Sequence, residues 1–359
     1  MAQHIGIGIG AGLVSALLFG VLLKATPLAI LLYLVAPLPI LIVGLGWSHK
    51  AALVAAATGS LVLILVIAPF MGLAFAAYIA LPAWWLAYLT LLGRETQAGL
   101  EWYPTGRLLG WIAATAALAF IAIAVLSSPN HAAFDAQLRG LAQTLVQTRM
   151  PATRSPAETR RAGAPATGSD AAGQDAAGQD KAGQDAGGQD AAAAPEPAPQ
   201  TGDDQADVTR TEVADALARV VPALAANGLA LLLAFYLWAS ARIVKISGRL
   251  PRPWPDIPST TMPRSTLAAL AAAVAMCFAP GYVGVFGVAL VGAFSAAFAL
   301  QGLAAFHDRS RGRPGRGLML FGMYLILFVT QGIALVALTL FGLADTALDR
   351  RRPKDSPAP

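Results

Sequence analysis

Nine stretches of this chain contain no Asp, Glu, Lys or Arg and consist mostly of apolar residues: 5–23, 28–46, 51–68, 70–92, 108–127, 220–241, 265–280, 282–306 and 317–343. About 20 such residues in helical form cross the roughly 30 Å hydrocarbon core of a bilayer. No water is available there, so the backbone must satisfy its own hydrogen bonds, and a helix does so within one segment. The expected fold class is therefore all-α and integral to the membrane, with eight or nine transmembrane helices. The count is open because Pro280-Gly281 alone separates 265–280 from the next run. That pair reads either as a tight external turn or as a kink in a hairpin. Composition agrees: 13% of residues are charged, against about 25% in soluble domains.

Charge placement suggests an orientation. Residues 151–210 hold five Lys/Arg and ten Asp/Glu, while the rest of the chain holds twenty and ten. The basic residues lie between apolar runs, as the positive-inside rule expects of cytoplasmic loops; nucleic acid is not an expected partner. Arg242, Lys245, Arg249, Arg252 and Arg264 follow the sixth run, and Arg309, Arg311, Arg313 and Arg316 follow the eighth. Counting back puts Arg107, Arg94, Lys50 and the N-terminus inside and Lys24 outside. The tail conflicts with this scheme. Arg350, Arg351, Arg352 and Lys354 prefer the cytoplasm, yet a single crossing by 317–343 carries them outside. Either one hairpin does not fully cross, or the tail breaks the rule. The first segment lacks a basic n-region and a small-residue cleavage site and reads as a retained span. The expected location is the bacterial inner membrane, multi-pass.

Four regions follow: an N-terminal membrane part, 1–127, of about five spans; a hydrophilic insert, 128–219; a C-terminal membrane part, 220–345, of three to four spans; and a basic tail, 346–359. The centre of the insert, 151–210, is of low complexity. Ala171–Asp175, Ala176–Asp180, Lys181–Asp185 and Ala186–Asp190 all read x-x-Gly-Gln-Asp. With almost no large apolar residues, such a segment cannot offset its chain entropy and is expected to be disordered. Its flanks look amphipathic, with Phe134, Leu138, Leu141 and Leu145 on one helical face and Val213, Leu217, Val220 and Leu224 on another.

Few residues suggest a binding site. Gly6, Gly8, Gly10 and Gly12 lack the strand and acid of a dinucleotide loop; their spacing gives small-xxx-small faces for close helix approach. Gly281, Gly284, Gly287 and Gly292, with Ser295, give another. Such faces serve packing within the chain, a homodimer or a partner subunit. Membrane lipids are the other expected partner. Pro37 and Pro39 each remove a helix hydrogen bond, and broken helices in membranes often line cavities. Asn227, Gln301 and Gln331 are amides inside apolar runs, suited to interhelix bonds or to solute contact. Asp345 ends the last run, where it can cap the helix, pair with Arg350 or meet a partner. Substrate-binding candidates are therefore Pro37, Pro39, Asn227, Gln301, Gln331 and Asp345. Trp84, Trp85, Trp111 and Trp238 lie near run ends, as interfacial anchors do. The spans lack the acids and bases of ion-coupled pumps. His4, His49, His131 and His307 have no ligand spacing, and Cys277 stands alone. No cofactor, metal site or catalytic residue is expected.

Three places together resemble the YybS-like family of bacterial multi-pass membrane proteins, a domain of unknown function. They are Ala36-Pro37-Leu38-Pro39-Ile40 leading to Gly46-Trp47-Ser48-His49-Lys50, then Val221-Pro222 with Leu250-Pro251-Arg252-Pro253-Trp254. The third is Gln301-Gly302-Leu303 with Gly342-Leu343-Ala344-Asp345. The resemblance covers most of the chain outside the insert and implies a distant likeness to substrate-binding subunits of small-vitamin transporters. Three functions follow in order: a substrate-binding or small-solute transport component that lacks its own energy coupling; a non-enzymatic scaffold in envelope assembly; and, last, a lipid-acting enzyme using Asp256 or Asp308. The protein is expected not to be an enzyme.

Overall fold

A computed structural model describes residues 2–97, 99–149, 201–330, 332–349 and 351. The repeat-bearing part of the insert, 151–200, lies outside them, as do Gln331, Arg350, Arg352 and Lys354. Apart from one small hairpin of strands the described chain is helical. Among the described residues, seven helical segments are long and apolar enough to cross a membrane.

The N-terminal spans begin where the sequence supplies helix starts. Helix α1, Ala2–Gly20, extends through a 3-10 turn, Val21–Lys24. Thr26 then accepts a bond from the Ala29 N–H, with Pro27 at the first helical position of α2, Pro27–Val35. Pro37 opens α3, Pro37–Gly46, so the second span is two helices meeting at Ala36. Ser48 caps α4, His49–Val66. Helix α5, Pro69–Phe75, passes through a π-helical turn, Ala76–Ala80, into α6, Leu81–Thr90. Strands β1, Gly93–Thr96, and β2, Gly99–Trp102, pair antiparallel, and Arg94 pairs with Glu101 across them. Helix α7, Thr105–Ser127, follows.

The remaining helices are α8, His131–Arg149; α9, Thr201–Ile246; α10, Ser265–Met276; α11, Gly281–Arg309; α12, Arg316–Thr330; and α13, Ile333–Leu348. Pro222 lies inside α9 rather than at its start. The chain forms two compact units, residues 1–138 with 218–359, and residues 139–217.

In the smaller unit Arg139 pairs with Asp215 at 3.7 Å. Ala142, Val146 and Ala214 are buried there, while Leu141, Leu145 and Val213 are exposed. Of the stripes expected from the sequence, Leu141, Leu145, Val213, Val220 and Leu224 thus face outward, Leu138 and Leu217 are half-buried and Phe134 is buried, and a neighbouring alanine-rich stripe packs. Positions 142 and 146 follow Phe134 and Leu138 in steps of four, whereas 141 and 145 belong to the adjacent row.

Small residues set the helix crossings in the larger unit. A side chain added at Gly8 or Gly12 would strike the backbone carbonyl of Ala51 or Ala55 on α4, whereas Gly6 and Gly10 face open space. One of the two glycine stripes of α1 therefore packs within the chain. Gly302 on α11 and Gly342 on α13 cross in the same way, each against the other helix's backbone. Phe19, Phe75 and Tyr33 interlock near the far end of α1. Phe134 packs on Tyr282 and Phe120. Large apolar side chains such as Leu17, Leu65, Val66 and Phe328 project outward, as lipid contact requires.

Contacts among loops gather the basic residues at one end. Arg249 stacks over Trp47 at 4.5 Å, Arg252 donates to the Thr90 carbonyl at 3.2 Å, and Thr105 bonds Thr260. Gly281, with φ +68°, turns the chain between α10 and α11. Helix α10 has 12 residues, about 18 Å of rise, too short to cross alone. The run 317–343 is not one span. It forms α12, of 15 residues, and α13, of 16. Helix α13 lies parallel to α11: Thr339 bonds the Ser295 carbonyl, Gly342 meets Phe298, and Asp345 meets Gln301, a constant offset along both helices. A hairpin that returns the chain therefore resolves the conflict at the tail, and Arg351 ends beside Arg309.

Candidate functional site

The polar residues of the C-terminal part converge on Asp345, in the last turn of α13. Its side chain is 2% exposed. Gln301, fully buried on α11, donates from Nε2 to Asp345 Oδ2 at 2.9 Å. Arg309 donates to Oδ1 at 3.0 Å, and Arg351 donates to Oδ2 from Nε at 3.0 Å and Nη2 at 2.5 Å. Arg351 also donates to the carbonyls of Pro258, at 2.9 Å, and Thr260, at 3.0 Å. A buried carboxylate is tolerable only when paired in this way.

The network continues outward. Asp308 lies 3.7 Å from both Arg351 and Arg311, and Arg311 forms a two-pronged pair with Asp256. The hydrogen bond from Arg311 holds the Asp256 carboxyl below its ordinary range. Burial lowers the Arg252 guanidinium from its ordinary value. The ends of α11 and α13, residue 351 and the 256–260 loop are thus tied together. Both oxygens of Asp345 accept from this chain's own donors, so the arrangement acts as a clamp. Gln301 Oε1 is buried with no partner among the described residues.

Asn227 on α9 stands apart from this network. Its Nδ2 donates to the Gly292 carbonyl at 3.0 Å and to Ser295 Oγ at 2.8 Å on α11. Gly292 permits the approach, since a side chain there would strike the Ala223 carbonyl. This is an interhelix bond of the kind expected of an amide in lipid.

A second polar locus surrounds the break in the second span. A cavity of about 40 Å³ lies among Tyr33, Pro37, Tyr78 and Tyr236, with leucines of α9 closing one side. Each element contributing a tyrosine carries a local feature. Tyr33 precedes the α2–α3 break, Tyr78 lies in the π-helical turn, and Tyr236 faces them from α9. Ser15 on α1 donates to the Ala36 carbonyl at 2.5 Å, satisfying backbone at the break. The volume suits roughly one to three waters and falls well below the ~300 Å³ of small-molecule sites. Single-turn π-bulges occur frequently at functional sites.

The sequence candidates therefore separate. Gln301 and Asp345 meet in the clamp, Pro37 lines the cavity, and Asn227 joins two helices. Pro39 is half-buried on α3 and does not line the cavity, and Gln331 lies outside the described residues. The sequence reading missed Tyr33, Tyr78, Tyr236, Arg309 and Arg351. The tyrosines carried a weak signal, because each lies inside an apolar run, as Tyr324 also does without joining the cavity. Trp84, Trp85, Tyr88 and Trp111 form one aromatic cluster near the basic end. Among the described residues no group of three His, Cys, Asp or Glu is placed to hold a metal ion.

Residues 191–346 match a family model described as a predicted membrane protein (DUF2232). No curated protein and no solved structure matches the chain. The matched segment takes in α9 to α12 and α13 up to residue 346, with Tyr236 and the clamp residues Gln301, Arg309 and Asp345 but not Arg351, and leaves α1 to α8 outside it. The chain is a multi-pass helical membrane protein, and its C-terminal part is similar to a membrane family of unknown function.

Proposed function

We propose that the protein is a substrate-binding or small-solute transport component of the bacterial inner membrane, without energy coupling of its own. The observation that carries this reading is the tyrosine-lined cavity, placed where a broken helix and a π-helical turn meet α9. Three hydroxyls inside apolar helices give a small polar solute its contacts. The present volume corresponds to a closed state, and a solute larger than a few waters enters when the two halves of the second span part at Ala36. The shared basic end, from Lys50 to Arg351, is assigned to the cytoplasm by the positive-inside rule, which also places the N-terminus inside. The resemblance to the YybS-like family agrees with a role of this kind.

The test is a thermal-shift screen of small polar solutes on the full-length protein, alongside solute uptake by a deletion strain. A solute that stabilises wild type but not the Tyr78→Phe, Tyr236→Phe double variant supports the reading. No stabilising solute together with unchanged uptake overturns it.

A non-enzymatic scaffold is the second reading. It is favoured by α12, which buries none of its described residues and turns Leu318, Phe321 and Phe328 outward. Recovery of the protein with a defined partner subunit after crosslinking in native membranes supports it, and recovery alone argues against it.

A further inference from the structure

A groove of about 420 Å³ opens between the first turns of α7 and α10, at the basic end of the larger unit. Its size is that of a small-molecule site, within the roughly 300–1,000 Å³ such sites occupy. Its polar rim consists of donors. Arg107 is exposed and makes no hydrogen bond or ion pair among the described residues. Tyr103 accepts the Trp111 indole N–H at 2.9 Å, which leaves its own hydroxyl proton to give elsewhere. Ser265 supplies a third donor from the opposite wall. Among the described residues no acid lines the groove. Arg264, next in sequence to Ser265, is taken by Asp349 at 3.8 Å, so Arg107 is the cation the groove keeps for itself.

Below this rim the lining changes. Ala269 and Phe294 continue the groove toward the middle of the spans, with the Trp111 ring, 40% exposed, along its edge. Donors at the interface over an apolar floor match one kind of molecule, an anion joined to a hydrocarbon chain. A free anion uses only the rim, and a zwitterionic lipid brings its own cation to compete with Arg107 for its phosphate. We propose that this groove seats an anionic membrane phospholipid, with its phosphate on Arg107, Tyr103 and Ser265 and the start of one acyl chain over Ala269 and Phe294. Basic pockets between helices on a cytoplasmic face commonly hold such headgroups. The inference needs only the membrane placement and stands apart from the solute reading.

The full-length protein, purified in detergent and mixed with phosphatidylglycerol and phosphatidylcholine, is examined by native mass spectrometry for retained lipid. Wild type is expected to retain phosphatidylglycerol in preference. Arg107→Gln should bind it roughly fivefold less tightly, one cation's share. Ala269→Trp, which fills the floor and leaves the rim intact, should also lower retention. Inorganic phosphate at matching concentrations should not compete. Equal retention of both lipids overturns the proposal, as does an unchanged affinity in either variant. Competition by inorganic phosphate shows a simple anion site and also overturns it. Both positions are exposed, and an unchanged melting temperature without added lipid confirms that each variant folds.

Discussion

Helices α1 to α7 and helices α11 to α13 solve the same packing problem with different means. In the first group every span is long enough to cross, and glycine or alanine against backbone fixes the contacts, as where Gly8 and Gly12 of α1 meet α4. In the second group α12 and α13 have only 15 and 16 residues. The crossing of α13 on α11 also uses glycines, Gly302 and Gly342, but a buried acid with fixed donors is added to it. A long apolar helix has its depth set by its length. A short one needs a marker, and Asp345 held by Gln301, Arg309 and Arg351 supplies both depth and direction for α13.

The comparison breaks outright if α13 does not run parallel to α11. In a Cys277→Ala background, Arg313→Cys and Leu348→Cys are expected to react with a membrane-impermeant maleimide from the same side. Labelling from opposite sides would mean that 317–343 crosses once. The next largest effect concerns the marker itself. Asp345→Asn leaves Arg309 without its counter-charge and Arg351 with only Asp308 at 3.7 Å, and should destabilise the protein by about 3 kcal/mol, read by denaturant unfolding in mixed micelles. A loss below about 0.5 kcal/mol would reduce the clamp to a surface-like pair. The smallest effect sharpens the shared part of the comparison. Gly342→Ala should cost about 2 kcal/mol, because its new methyl meets the Phe298 carbonyl. Gly10→Ala faces open space and should stay within about 0.5 kcal/mol of wild type. A cost for Gly10→Ala as large as the one expected for Gly342→Ala would show that α1 packs through its other stripe.

Much of the membrane part was legible because burial in lipid leaves a one-dimensional record. Uncharged runs marked the spans, and Pro37 marked the break at Ala36. The break between α12 and α13 left no such record, since neither proline nor charge interrupts the run from Gly317 to Leu343. Of the site candidates, Gln301 and Asp345 stood out as polar groups in or beside apolar runs. Nothing in the spacing of 301, 309, 345 and 351 said that they would meet. The three cavity tyrosines are separated by long stretches of chain, and their convergence depends on how α2, the π-helical turn and α9 pack.

By itself the sequence determined that this chain is helical and lies in a membrane, because a backbone in hydrocarbon has few other ways to satisfy its hydrogen bonds. It also determined which loops are basic. The tertiary structure decided which way the last helix runs, which glycine stripe of α1 is used, and which polar residues face one another. Those choices rest on contacts between distant segments, where close backbone approach at glycine and the pairing of a buried charge outweigh any preference a single helix carries.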